Sequence, residues 1–379
     1  MTPDIAAEAA AFKGWMFDVA LPFWVRVGVD PASGFHERLS PEGVVIDDPR
    51  RARLVARQIH VFATAERLGW PGPARQMVRH GLAALHQHHL RPEGMVIPSV
   101  DGSGRVVRDT FDLYDHAFVL FGLALAAAAG EDTPALAARA RRLRDDMRAG
   151  FGHQLAGFEE AAPRTLPLKA NPHMHMLEAC LAWEDVAPGD GWQALADTLA
   201  ELALARFIDP ATGAVHEYFD GDWTRLPGHD AVVEPGHQFE WAWLLLRWSQ
   251  RRGHAGAQAA ALRLIALAEE TGVDRRLGLA VNELDAALGL RDKRARLWPQ
   301  TERVKAHALC AMRGLADDAG ARAVEASRGL RHFFTHPVAG SWWEHIGPDG
   351  APASEPARAS SLYHIMGALE AMLALAAHR

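Results

Sequence analysis

An all-α fold is predicted, a closed (α/α)6 barrel in which six helical hairpins form a toroid with short β-hairpin loops at one end. Three observations predict it. Helical periodicity rich in alanine and leucine runs through the chain, with no strand–helix alternation. Similar turns recur roughly every 60 residues. Each turn lies between two helical segments, so every unit reads helix, hairpin-like loop, helix. An open solenoid is the competing architecture, but solenoids want more uniform repeats and polar caps. No Ser/Pro/Gly-rich linker interrupts the repeat, so residues 1–379 read as one domain.

The periodicity places helices at 4–26, 50–69, 73–90, 111–129, 134–149, 172–184, 192–207, 236–251, 255–271, 298–315, 319–335 and 360–377. Between them the breaks resemble one another. Asp30-Pro31-Ala32-Ser33-Gly34 precedes Phe35-His36-Glu37-Arg38, and Arg91-Pro92-Glu93-Gly94 precedes Met95-Val96-Ile97-Pro98. Asp209-Pro210-Ala211-Thr212-Gly213 precedes Ala214-Val215-His216-Glu217, and Asp274 to Gly278 precedes Leu279 to Asn282. His336-Pro337-Val338-Ala339-Gly340 precedes Ser341-Trp342-Trp343-Glu344, and Gly152 to Glu160 is a weaker copy. Proline sets a turn and glycine supplies positive φ. Second turns at Pro41-Glu42-Gly43, Asp101-Gly102, Asp220-Gly221 and Pro348-Asp349-Gly350 complete a hairpin pattern.

Bulk properties narrow the class. The chain is 49% hydrophobic and 23% charged, enough apolar material for a large core. A net charge of −7 without a basic cluster argues against nucleic acid. Cys180 and Cys310 lie in apolar helical context and read as reduced core residues. Residues 1–20 lack the long apolar block of a signal peptide, and the longest apolar run, 117–130, is shorter than the roughly 20 residues a bilayer requires. The expectation is a cytoplasmic monomer or homodimer with no membrane partner.

The stretch Pro235-Gly236-His237-Gln238-Phe239-Glu240-Trp241 begins a helix and puts His237 and Glu240 three apart on one face. Corresponding helix starts carry Arg53 and Arg57; Tyr114, Asp115 and His116; Asn171, His173 and His175; Trp298, Gln300 and Glu302; and Tyr363 and His364. In a toroid these positions face the same end of the central cavity and would ring one pocket. Taken singly, each has a structural alternative: a core tyrosine, a helix cap, a salt-bridge partner.

Several chemistries remain for such a ring. No His-Glu-x-x-His motif or cysteine pair points to a metal, and no Gly-x-Ser-x-Gly elbow points to a serine nucleophile. Glycoside hydrolysis stays open, with Glu240 and Glu302 as the two carboxylates. The ring holds more histidines than acids, which favours reversible proton transfer at a carbon next to a carbonyl, with an arginine stabilising the enediolate. Trp298, Trp342, Trp343 and Tyr114 suit stacking on a sugar or core packing. Only Arg53 and Arg57 offer a cationic pair and no phosphate loop exists, which argues against phosphorylated substrates.

Together, Pro235-Gly236-His237-x-x-Glu240-Trp241-x-Trp243, Arg57-Gln58, Asn171-Pro172-His173-Met174-His175, Trp298-Pro299-Gln300-x-Glu302 and Leu362-Tyr363-His364 resemble the N-acylglucosamine 2-epimerase superfamily over nearly the whole chain. The Asn-Pro-His-Met-His and Ser-Leu-Tyr-His wording is most similar to its bacterial D-mannose isomerase branch. The resemblance implies an (α/α)6 barrel and an aldose–ketose isomerase that interconverts D-mannose and D-fructose, or related free aldoses such as lyxose, without metal or organic cofactor. It implies catalytic roles for His237, His364 and Arg57. It implies sugar contacts from Tyr114, Asn171, His175, Glu240 and Trp298, with Gln300, Glu302 and Arg53 beside them. Arg53 stands where some relatives carry an aromatic. In the implied mechanism His237 assists ring opening, His364 takes the C2 proton and Arg57 holds a cis-enediolate. The alternatives are a 2-epimerase of N-acylated, di- or sulfo-sugars, a glycoside hydrolase and a non-catalytic sugar binder.

Overall fold

The computed structural model describes residues 4–228 and 231–378. Helix α1 runs through Ile5–Gly14, a π segment at Trp15–Ala20 and Leu21–Val27. Helices α2 (Ala52–Arg67), α3 (Ala74–Ala84, extended by a π turn at Leu85–His89), α4 (Leu113–Ala128) and α5 (Thr133–Phe151) follow. Then come α6 (Ala170–Val186), α7 (Trp192–Leu202, extended by a π turn at Ala203–Phe207), α8 (Pro235–Arg252) and α9 (Ala255–Thr271). The last are α10 (Leu297–Met312), α11 (Ala319–Arg331) and α12 (Ser361–Ala377).

The even-numbered helices form an inner ring: α2 packs on α4, and so on through α12, which returns to α2. Odd-numbered helices form an outer ring, with α1 against α12 and α11. Burial follows this order. On α9 the buried residues are Ala257, Ala261, Leu264, Ile265, Ala268 and Glu269, a single stripe at helical spacing. On α2 every residue from Leu54 to Ala65 is buried, because one face meets the outer helices and the other the barrel lumen.

The loops at the N-terminal end of the inner ring are stitched by short antiparallel pairs. Arg50–Arg51, leading into α2, pairs with Ser99–Val100 of the next unit. The same step joins Leu168–Lys169 to Tyr218–Phe219, Val232–Val233 to Leu284–Asp285, and Ala295–Arg296 to His345–Ile346. Ala357–Arg358 pairs with Arg38–Leu39, so the sheet contacts close the ring as the helices do. Left-handed backbone at Gly213 (φ 82°) and Gly340 (φ 90°) makes the repeated turn possible.

A second device repeats at the fourth residue of four inner helices. Val96 N–H donates to His116 Nε2 at 3.2 Å and Phe158 N–H to His173 Nε2 at 3.0 Å. Val215 N–H donates to Gln238 Oε1 at 2.7 Å and Ala280 N–H to Gln300 Oε1 at 2.8 Å. Each side chain pins a hairpin to its inner helix. Gln300, expected in the pocket, is therefore a fully engaged structural pin: its Nε2 also donates to the Ala280 and Arg296 carbonyls. Helix α6 begins two residues earlier than the sequence reading, because Pro172 falls in its first turn, where no N–H is required.

Candidate active site

A cavity of about 1030 Å³ opens at the N-terminal end of the inner ring. Among the residues singled out from the sequence, Arg53, Arg57, Tyr114, Asn171, His175, His237, Glu240, Trp298 and His364 all line it. Glu302 does not: it is fully buried behind His364. Trp342 is buried against Trp24 and donates to Glu344, and Trp343 packs on His336, so neither faces a sugar in the cavity.

Both imidazoles pack against Trp298, whose ring centroid is 4.8 Å from that of His237 and 5.8 Å from that of His364. Gly236 makes this possible, because a Cβ there would lie 2.5 Å from the indole. The environments of the two histidines are opposite. His237 Nδ1 donates to Glu217 Oε1 at 2.9 Å and lies 3.8 Å from Glu234 Oε2. Burial works against its charged form, but Glu217 and Glu234 override this and raise its pKa to about 10. His364 Nδ1 donates to Glu302 Oε1 at 2.8 Å. Burial dominates here, and the nearby Arg57 and Lys305 cations add to it, so the pKa falls to about 3 despite Glu302. One imidazole is thus a cation and the other neutral with Nε2 as its free nitrogen.

Beneath them lies a charged floor. Lys305 Nζ contacts Glu302 Oε2 at 2.6 Å, and together with the His364 contact it holds Glu302 below the usual carboxylate range against the opposing effect of burial. Glu240 is raised well above that range by burial and by the Glu302 charge, and its buried Oε1 has no hydrogen-bond partner. Burial depresses the His175 pKa to about 4; its Nδ1 is 3.3 Å from Glu178, which also accepts from Tyr363 OH. Arg57 donates to Tyr114 OH at 2.6 Å and lies over Phe118 at 4.1 Å. The buried Oδ1 of Asn171 is also without a partner.

Arg53 is tied to Asp115 at 3.2 Å, so it does not supply a free cation beside Arg57. The rim instead carries Arg296 and Arg358, which the sequence reading passed over. Glu217, Glu234 and Lys305 were also missed. A signal existed for Glu217: the repeated hairpin places a glutamate at Glu37, Glu217 and Glu344. Glu37 and Glu344 accept the backbone N–H of Arg51 and Arg358, while Glu217 turns to His237.

Replacing Glu217 by Gln removes the nearest charge on His237. The wild-type kcat/KM profile is expected to stay flat between the two histidine values and to fall on the alkaline side as His237 loses its proton near pH 10. In Glu217→Gln that alkaline limb should move down by about 1–3 units. An unmoved limb would show that Glu217 does not set the His237 charge.

Among the described residues, three groups could offer a cation three ligands each: His175, Glu178 and Glu240; Glu217, Glu234 and His237; and Glu240, Glu302 and His364. The His237 cation and the Lys305 ammonium already serve these carboxylates and would repel a metal. Activity should therefore survive dialysis against EDTA; a loss restored by a divalent cation would contradict the metal-free reading.

The model of the N-acylglucosamine 2-epimerase family matches residues 34–368. A mannose-6-phosphate isomerase of Rhizobium meliloti (strain 1021) is 41% identical, over 97% of this chain and 97% of the relative. A D-mannose isomerase of Pseudomonas cannabina pv. alisalensis is 29% identical over 65% of this chain and 64% of its own. The solved cellobiose 2-epimerase from Bacillus thermoamylovorans B4167 shares the fold, with a TM-score of 0.88 at 18% identity over 97% of this chain and 100% of that one. A solved D-mannose isomerase does likewise, with a TM-score of 0.83 at 21% identity over 99% and 98%. The (α/α)6 barrel, the family match across most of the sequence and a relative of comparable length agree: the chain belongs to the N-acylglucosamine 2-epimerase family and is a sugar-isomerising or epimerising enzyme.

Proposed function

We propose that the protein is an aldose–ketose isomerase that converts a mannose-configured aldose into the corresponding ketose. The observation that carries this reading is the pair of oppositely tuned imidazoles, neutral His364 and cationic His237, beside Trp298 on one cavity. Widely separated pKa values in one site are the mark of an acid and a base.

His237 protonates the ring oxygen, the C1–O5 bond breaks and the O1 hydroxyl gives its proton back to His237, which leaves the open-chain aldose. The C1 carbonyl acidifies the C2 proton, which His364 Nε2 removes. The developing cis-enediolate is stabilised by Arg57, and Glu240, biased toward its acid form, donates to a sugar oxygen. The O2 hydroxyl proton passes to O1, the His364 proton returns to C1, and C2 becomes the carbonyl of the ketose. Two imidazoles also favour a second reading: if His237 returns a proton to C2 from the opposite face, the product is the 2-epimer. A hydrolase is disfavoured, since Glu302 lies below the cavity wall and is committed to Lys305 and His364.

Products from mannose, N-acetylmannosamine and cellobiose, separated by chromatography after incubation in D₂O, test this reading. Fructose labelled at C1 is expected from mannose. Glucose labelled at C2 would establish epimerisation instead, and no turnover of any of the three or of D-mannose 6-phosphate would reject the reading.

A further inference from the structure

We infer that Arg296 and Arg358 form an anion subsite at the cavity mouth that takes a phosphate on the C6 end of the sugar. This rests on the aldose–ketose reading above and extends it to phosphorylated aldoses.

The first support is an account of charges. Of the cations lining the cavity, Arg38 is paired with Asp48 at 2.7 Å, Arg51 with Glu37, Arg53 with Asp115, Arg108 with Asp112 at 2.7 Å and Lys169 with Glu160 at 3.7 Å. Among the described residues, no carboxylate pairs with the guanidinium of Arg57, Arg296 or Arg358. Arg57 lies deep and serves the reacting end. Arg296 and Arg358 are half-buried on the strands that lead into neighbouring inner helices, α10 and α12.

Two acids that interact with these residues are already committed. Glu234 lies 3.8 Å from the His237 cation. Glu344 accepts from Trp342 Nε1, Arg358 N–H and Ser361 Oγ. Two guanidinium groups therefore face the cavity with donors unspent, which is the arrangement that phosphate oxygens complement.

The second support is depth. Arg57 is the sixth residue of α2, whereas Arg296 immediately precedes α10. The inner helices all start at the same end, so six residues at 1.5 Å rise separate the two positions by roughly 9 Å along the barrel axis. Five C–C bonds of about 1.5 Å in a staggered open chain project to roughly 6 Å, and a phosphoester adds about 3 Å. With O1 and O2 at Arg57, an open-chain hexose reaches the mouth with the group on C6. A phosphate there carries about −1.5 to −2 charges at neutral pH.

Steady-state kinetics with D-mannose and D-mannose 6-phosphate test the subsite, with inorganic phosphate as a competing probe. The expected ratio of kcat/KM, phosphorylated over free sugar, is at least tenfold in favour of the phosphorylated one, and inorganic phosphate should compete with it. In the Arg296→Ala/Arg358→Ala protein that ratio should fall at least tenfold and phosphate inhibition should weaken. The wild-type ratio and the inhibition by phosphate need no variant, so misfolding of the double mutant would not protect the idea. If wild type isomerises mannose, shows no preference for the phosphorylated sugar and ignores phosphate, the subsite is wrong while the isomerase stands. An unchanged ratio in a folded double mutant also overturns it. If neither sugar is turned over, the isomerase reading fails and the subsite with it.

Discussion

Replacing His364 by alanine should lower kcat by about three orders of magnitude, close to 4 kcal/mol of transition-state stabilisation. The residue is a neutral imidazole on the cavity with a ring nitrogen free and its other nitrogen anchored on a buried carboxylate. His175, the other neutral imidazole on the wall, packs among the rings of Tyr114, Phe118 and Tyr363, whereas His364 packs against Trp298, and Glu240 is biased toward its acid form. His237→Ala should cost a similar factor through loss of the acid. The proton-transfer step itself can be isolated by following solvent exchange at C2 of the substrate. His364→Ala should abolish that exchange, and a variant within tenfold of wild type would remove His364 from the chemistry. Near-native thermal melting is expected, since the side chain borders a cavity and its loss opens no sealed void.

The second large effect is expected from Glu302→Gln, a change of one atom. Glu302 sits between His364 Nδ1, from which its Oε1 accepts, and the Lys305 ammonium, with which its Oε2 forms an ion pair. A glutamine can accept on one side only. If its NH₂ faced Lys305, a buried cation would meet a donor; the favoured rotamer therefore keeps the oxygen on Lys305 and turns N–H toward His364. Nδ1 then becomes the acceptor and the imidazole proton moves to Nε2, the nitrogen that must take the substrate proton. Holding a histidine in the wrong tautomer by the same carboxylate-to-amide change costs about 10⁴ in kcat in the Ser-His-Asp triad. A loss of about 10²–10⁴ in kcat, with KM little changed, is expected. If only KM rises, Glu302 is a ground-state contact instead.

The toroid is legible in the sequence because its repeat is local. Each unit carries a Pro/Gly turn, a hairpin and two helical stripes, and none of these depends on distant residues. The starts of the inner helices are equally plain, and with them the residues in their first turns. What failed was discrimination within those turns. Gln300 shares its position with His116, His173 and Gln238, so its role as a pin was encoded in the phase of the repeat, yet its neighbours Trp298 and Glu302 drew it into the pocket. Lys305 could not be found this way. A lysine one turn beyond Glu302 reads as a solvent-facing ion pair, and only closure of the ring turns that face into a lumen where Lys305 is 3% exposed. Arg296 and Arg358 were overlooked because the sequence does not say which arginines are neutralised; that depends on which acids the hairpins bring beside them.

The charged floor carries a consequence for thermal robustness. Lys305, Glu302, Glu240 and Glu178 occupy the axis of the barrel, where a protein selected for rigidity alone would place leucine and methionine. Removing ions from water costs several kcal/mol apiece, and apolar replacements of buried ion clusters often leave proteins more stable. The barrel axis is therefore where this enzyme is most readily hardened and most readily silenced, because Glu302 there anchors His364 and the Lys305 cation helps to keep that imidazole uncharged.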